Sequence, residues 1–81
     1  MNIKQLEQFI SGNHVRSVVL FHVDTGFEVW AYDFEDENVV GSYGNRLSAV
    51  RGNEPRMYTS VQRAYDSLRG MGYAGAIVIE G

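Results

Sequence analysis

Cysteine is absent from this chain. That excludes disulfides, thiol nucleophiles and cysteine-ligated metal, and it fits a reducing, cytoplasmic compartment. Long apolar runs are absent too. The longest are a few residues, far short of the ~20 that span a bilayer, so no membrane role is expected. The opening MNIKQLEQFISG has no charged stretch followed by an apolar one, so it does not read as a signal peptide. Basic charge is scarce. Seven Lys and Arg stand against ten Asp and Glu, a net charge of −3, which argues against strong phosphate binding by the molecule as a whole. Proline occurs once, at Pro55, and no repeat, low-complexity tract or linker is visible.

What is present suffices for one domain over residues 1–81. A chain this short buries only about 60% of its unfolded surface, so its stability margin is thin. A 12% aromatic content still supplies enough apolar area to offset chain entropy. Charge is unevenly spread: residues 1–40 carry a balance of −5 and residues 41–81 a balance of +2, which suggests one acidic and one mildly basic surface.

Asn2 is placed to cap a helix bearing Ile3, Leu6, Phe9 and Ile10, with Gly12 at its end. Residues 14–23 alternate as a strand, with Val15, Ser17, Val19, Phe21 and Val23 on one side and Arg16, Val18, Leu20 and His22 on the other. Asp24-Thr25-Gly26 reads as a three-residue hairpin loop with Gly26 left-handed, and residues 27–34 as the returning strand. In that register Trp30, Tyr32 and Phe34 share a face with Val18 and Leu20. A polar turn at 35–38 leads to a third strand over 39–51, interrupted at Gly41 or Gly44, and then a loop at Pro55. Thr59 and Gln62 match a capping box for a second helix whose stripe is Val61, Ala64, Tyr65 and Leu68, ended by Gly70 or Gly72. Residues 73–79 read as a mostly buried last strand. The order α-β-β-β-α-β predicts an α+β fold: a mostly antiparallel four-stranded sheet of order 3-2-1-4, with both helices on one face. A right-handed crossover returns the last strand parallel to the first.

Gly70-Met71-Gly72-Tyr73-Ala74-Gly75 spells G-x-G-x-x-G, but it closes a helix and enters a strand. A phosphate would there meet the wrong end of the helix dipole, so the string reads as a helix terminus. His14 and His22 are about 26 Å apart along an extended strand and cannot share a metal. No serine–histidine–acid pattern or nucleophile elbow is visible. The chain reads as a non-enzyme without metal, cofactor or small-molecule substrate. Asp33, Glu35, Asp36 and Glu37 form an acidic knuckle, either a solvated turn or a patch that steers a partner. Arg46, Arg51 and Arg56 beside Tyr43 offer the arginine–aromatic mixture that holds single-stranded nucleic acid. Trp30, Tyr32 and Phe34 say most. The hairpin is apolar on both sides, and one helical layer covers only one of them, so one face is left for a protein partner or a second copy of the chain.

Arg51-Gly52, Pro55-Arg56, Tyr58, Ser60, Ala64, Leu68-Arg69 and Gly72, followed by an apolar strand, resemble the tail of the ParC-type partition-associated accessory proteins of plasmids, over residues 47–79 and under half the chain. The resemblance implies a small non-enzymatic protein carried by a plasmid or phage, a class that includes inhibitors of host-defence nucleases. It carries over no site residue. The leading expectation is a protein-interaction module, or homodimer, anchored by Trp30, Tyr32 and Phe34 and oriented by the acidic knuckle. The alternative is a nucleic-acid-binding regulator acting through Arg46, Arg51, Arg56 and Tyr43.

Overall fold

The computed structural model describes residues 1–33, 46–49 and 54–80. Helix α1 (Ile3–Ser11) begins as its sequence predicts. The Asn2 side chain accepts from Gln5 N at 2.8 Å, and Gln5 Oε1 accepts from Asn2 N at 2.8 Å, so two end donors are satisfied reciprocally. At its far end the left-handed residue is Asn13 (φ 60°), while Gly12 stays at φ −80°. Helix α2 (Val61–Gly70) is capped one residue later than expected: Ser60, with its extended backbone, accepts from Arg63 N at 3.2 Å. Gln62, freed from the capping role given to it with Thr59, donates to Asp66 Oδ1 one turn on, at 2.8 Å. Gly72 (φ +94°) turns the chain out of α2, so the G-x-G-x-x-G string is a helix exit.

Strand β1 (Val15–Val23) lies between β2 (Gly26–Asp33), antiparallel, and β3 (Ala76–Glu80), parallel, giving the order β2-β1-β3. The class is α+β, and the last strand returns beside the first and parallel to it, but the sheet has three strands among the described residues rather than four. Where the third strand was expected, residues 46–49 make isolated bridges only, Trp30↔Arg46 and Ser48↔Pro55. The reason lies in where the hydrogen bonds go. Leu47 N donates to Val29 O at 2.8 Å, but the neighbouring groups turn away: Ser48 N goes to Met1 O, Ala49 N to Glu54 O and Arg56 N to Leu47 O. Pro55 sits between two of these bonds, where its missing N–H is not required. The rest of that expected strand, 39–45 and 50–51, lies outside the described residues.

The hairpin turn is shorter than expected. Val23 pairs with Gly26 across Asp24-Thr25 alone, and Gly26 has no positive φ. Its lack of a side chain serves a close approach instead. A Cβ on Gly26 would lie 2.3 Å from Tyr58 O, at the point where Phe27 and Tyr58 exchange backbone bonds of 2.8 and 3.0 Å. Removing one residue from the turn changes every facing. The pairs become Val18↔Ala31, Val19↔Trp30 and Leu20↔Val29, so Trp30 and Tyr32 share a face with Val19 and Phe21, not with Val18 and Leu20. A bulge at Arg16 then returns Val15 to the buried side.

The core is built on that buried side. Val18, Leu20, Val29 and Ala31 from the sheet meet Leu6 of α1, Ala64 and Leu68 of α2, and Leu47, Tyr58 and Tyr73, with Ile3, Phe9, Ile10, Val61 and Ile77 packed around them. Val19, Phe21, Trp30 and Tyr32 take no part in it, so both helices cover the same face. Tyr58 ties α2 to β2, its hydroxyl 2.7 Å from Ser67 Oγ. Tyr65, expected in the core, is 41% exposed. It lies about 100° around the helix from Ala64, at the margin of the stripe, and packs under the Arg69 guanidinium at 4.6 Å.

Candidate functional site

Among the described residues, no helix or further strand covers the face away from the helices, and this face is the candidate site. Its rows are Ser17, Val19 and Phe21 on β1, Glu28, Trp30 and Tyr32 on β2, and Ala76, Val78 and Glu80 on β3. Trp30 and Tyr32 are partly exposed, and Val78 is 45% exposed. Phe21 meets Trp30 edge-on, with centroids 5.8 Å apart and planes at 76°, a geometry worth about 0.5–1.5 kcal/mol beyond area burial. Glu28 organises the polar side of the face. It accepts from the Trp30 indole N–H at 3.2 Å and lies 4.0 Å from Arg46 Nη1. Phe21, His22, Val23, Glu28, Trp30 and Tyr32 line a depression of about 260 Å³. That is below the roughly 300–1,000 Å³ of small-molecule pockets and suits part of a docking surface better than a ligand site.

Of the residues singled out from sequence, Trp30 and Tyr32 stand together on this face, and Asp33 ends β2 opposite Val15. Phe34, Glu35, Asp36, Glu37, Tyr43 and Arg51 lie outside the described residues. The two described arginines keep different company. Arg46 faces Glu28 and pairs in backbone with Trp30, whereas Arg56 stacks on Tyr58 at 5.6 Å. Arg56 also lines a second cleft of about 460 Å³ with Tyr58, Thr59, Arg63, Asp66 and Ser67, where Asp66 offsets part of the positive charge. His22 stacks on Phe27 at 4.8 Å, and both histidines are exposed. Among the described residues no three His, Asp or Glu groups gather as metal ligands, and no helix is long and apolar enough to cross a membrane.

Sequence reasoning placed β3 but missed its exposure. Read as mostly buried, the strand is largely exposed, with Ile79 at 56% and only Ile77 packed against the core. An unbroken apolar run looks the same whether it lies inside a sheet or along its margin. The order β2-β1-β3 puts it at the margin. Among the described residues, two ionisable groups are displaced from their ordinary behaviour. Burial pushes the Tyr73 hydroxyl up, opposed by Arg69 and a backbone hydrogen bond at Val18, and burial followed by Arg46 pulls the Met1 ammonium down. No family of known proteins, no curated protein and no solved structure matches the chain.

Proposed function

We propose that the chain is a non-catalytic protein-interaction module that works through its open sheet face and the charged groups around it. The observation that carries this reading is the segregation of the hairpin's side chains. Val18, Leu20, Val29 and Ala31 supply the core, leaving Val19, Phe21, Trp30 and Tyr32 unused by it. Aromatic side chains ringed by charge are the usual anchors of protein interfaces, and here Glu28 and Arg46 supply the ring. The acidic residues Asp33, Glu35, Asp36 and Glu37 follow Trp30 in sequence and belong to the same reading as steering charge. A cytoplasmic accessory or inhibitory role in a plasmid or phage is the setting implied by the resemblance of residues 47–79. The test is affinity capture with the intact chain and with Trp30→Ala, with captured proteins identified by mass spectrometry. Capture of a defined protein that is lost in the variant, with circular dichroism unchanged, supports the reading. Equal capture by both chains removes Trp30 from it.

A second reading, a nucleic-acid-binding regulator, draws on the cleft where Arg56 and Arg63 flank Tyr58. Titration of a single-stranded oligonucleotide at rising salt separates the two. Binding that falls steeply with salt and is lost in Arg56→Ala favours nucleic acid; no binding at low salt eliminates it.

A further inference from the structure

Strand β3 is the margin of the sheet, and its residues pair only with β1 among the described residues. A sheet margin presents a row of backbone N–H and C=O groups that another strand can satisfy. Natural proteins usually blunt such margins with lysine, proline or a bulge. Here the strand is Ala-Ile-Val-Ile-Glu, with none of these, and its two most exposed large apolar residues, Val78 and Ile79, point to opposite faces.

We infer that β3 pairs antiparallel with β3 of a second copy, Val78 on the two-fold axis, joining two sheets into one of order β2-β1-β3-β3-β1-β2. This rests on the interaction-module reading and names the partner. All five residues find a partner only in that register. Val78 faces its own counterpart on the open side, Ile77 faces Ile79 on the helix side, and Ala76 faces Glu80. Isologous pairing of this kind closes on itself and stops at two copies.

Charge selects the same arrangement. Glu80 is the strand's one ionised side chain and sits at its C-terminal end, on the open face near Glu28 across Phe21. The opposite end is basic. Arg16 lies on the bulge next to Ser17, the partner of Ala76. Antiparallel pairing brings each Glu80 to the basic end of the other copy and holds the two carboxylates about 14 Å apart along the strand, beyond the physiological Debye length of ~8 Å. A parallel, in-register pair would set Glu80 directly beside Glu80, a destabilising like-charge pair. A five-residue strand pair buries less than the ~1,200 Å² of a standard interface, so the dimer is a weak one, populated at high micromolar concentration.

The absence of cysteine makes the test clean. Residues directly opposed in an antiparallel pair have Cα atoms about 4.5–5.5 Å apart, within disulfide reach, whereas a two-residue offset exceeds about 7 Å. The full chain at roughly 300 µM, a concentration suited to a sub-standard interface, should sediment as a dimer–monomer equilibrium. Val78→Cys should cross-link to completion under mild oxidation and Ile79→Cys should not. Val78→Lys, which opposes two ammonium groups on the axis, should sediment as a folded monomer. A wild-type chain that stays monomeric, or cross-linking as fast through Ile79→Cys as through Val78→Cys, overturns the inference. A dimer lost in Trp30→Ala and lacking the cross-link pattern overturns the margin pairing and leaves the open-face reading standing. Monomeric wild type with Trp30-dependent capture of another protein does the same.

Discussion

Gly26→Ala probes the link between the hairpin and the segment leading into α2. The added methyl would sit 2.3 Å from Tyr58 O and 3.2 Å from Tyr58 C, and the obstacle is backbone, which cannot swing aside as a side-chain tip can. Relief requires the two chains to part, and the bonds at risk are Phe27 N to Tyr58 O and Tyr58 N to Phe27 O. At about 0.5–1.5 kcal/mol net for each, their loss costs about 1–3 kcal/mol. Tyr58 is 8% exposed and its hydroxyl meets Ser67, so loosened packing against α2 raises the total toward the upper end. For a domain of this size about 2–3 kcal/mol corresponds to a fall in Tm of roughly 8–24 °C. Gly70→Ala is the matched control. Nothing lies within 4 Å of its would-be Cβ, and it is the last residue of α2, so the substitution should be neutral or stabilising by up to about 1 kcal/mol. Urea denaturation followed by circular dichroism measures both. If Gly26→Ala unfolds within about 0.5 kcal/mol of wild type, the close approach of Tyr58 to β2 is wrong, because a surface change free of such contacts falls in that range.

Three further outcomes can be checked with the same apparatus. Ser60→Ala should cost about 1 kcal/mol through loss of the α2 cap, while Thr59→Ala should change little; the reverse order would return the cap to Thr59. Leu20→Ala, on the buried side, should cost about 2–5 kcal/mol, whereas Val19→Ala on the open side should cost much less, and equal costs would refute the burial of the Val18 and Leu20 side of β1. Tyr73 has its folded pKa raised above the ordinary 10.0, mainly by burial. Its neutral form is therefore favoured by folding, so its contribution is complete below pH ~10 and is lost as pH rises through the higher folded value. Tyr73→Phe should flatten the alkaline end of the stability profile, and an unchanged slope would count against the shift.

The fold class and the parallel return of the last strand were legible in the sequence because they rest on long-period signals: two capped, striped helices flanking alternating strands. Facing was not legible, because it turned on one residue. Asp24-Thr25-Gly26 reads as a glycine loop, yet Gly26 belongs to β2, and moving it out of the turn exchanges the neighbours of every hairpin side chain. Trp30 and Tyr32 still fall together on one face, the one that takes no part in the core. Tyr65 was misplaced because a stripe read at 3.6-residue spacing blurs at its margin, where Arg69 offers a ring partner as good as the core. The exposure of β3 carries no local signature. The predicted order 3-2-1-4 already ended the sheet on this strand, and reading its apolar run as buried passed over that position.

The central position of β1 bears on biosynthesis. Its β2 neighbour follows at once, but the strand that completes its other side begins roughly 50 residues later, a delay of about 3–10 s at 5–20 residues per second on the ribosome. During that interval the half-made hairpin carries Val18 and Leu20 beyond the exit tunnel with neither α2 nor β3 to shelter them. A nascent chain of this design stays exposed to chaperones, and to its sister chains on the same message, until Ala76–Glu80 emerges.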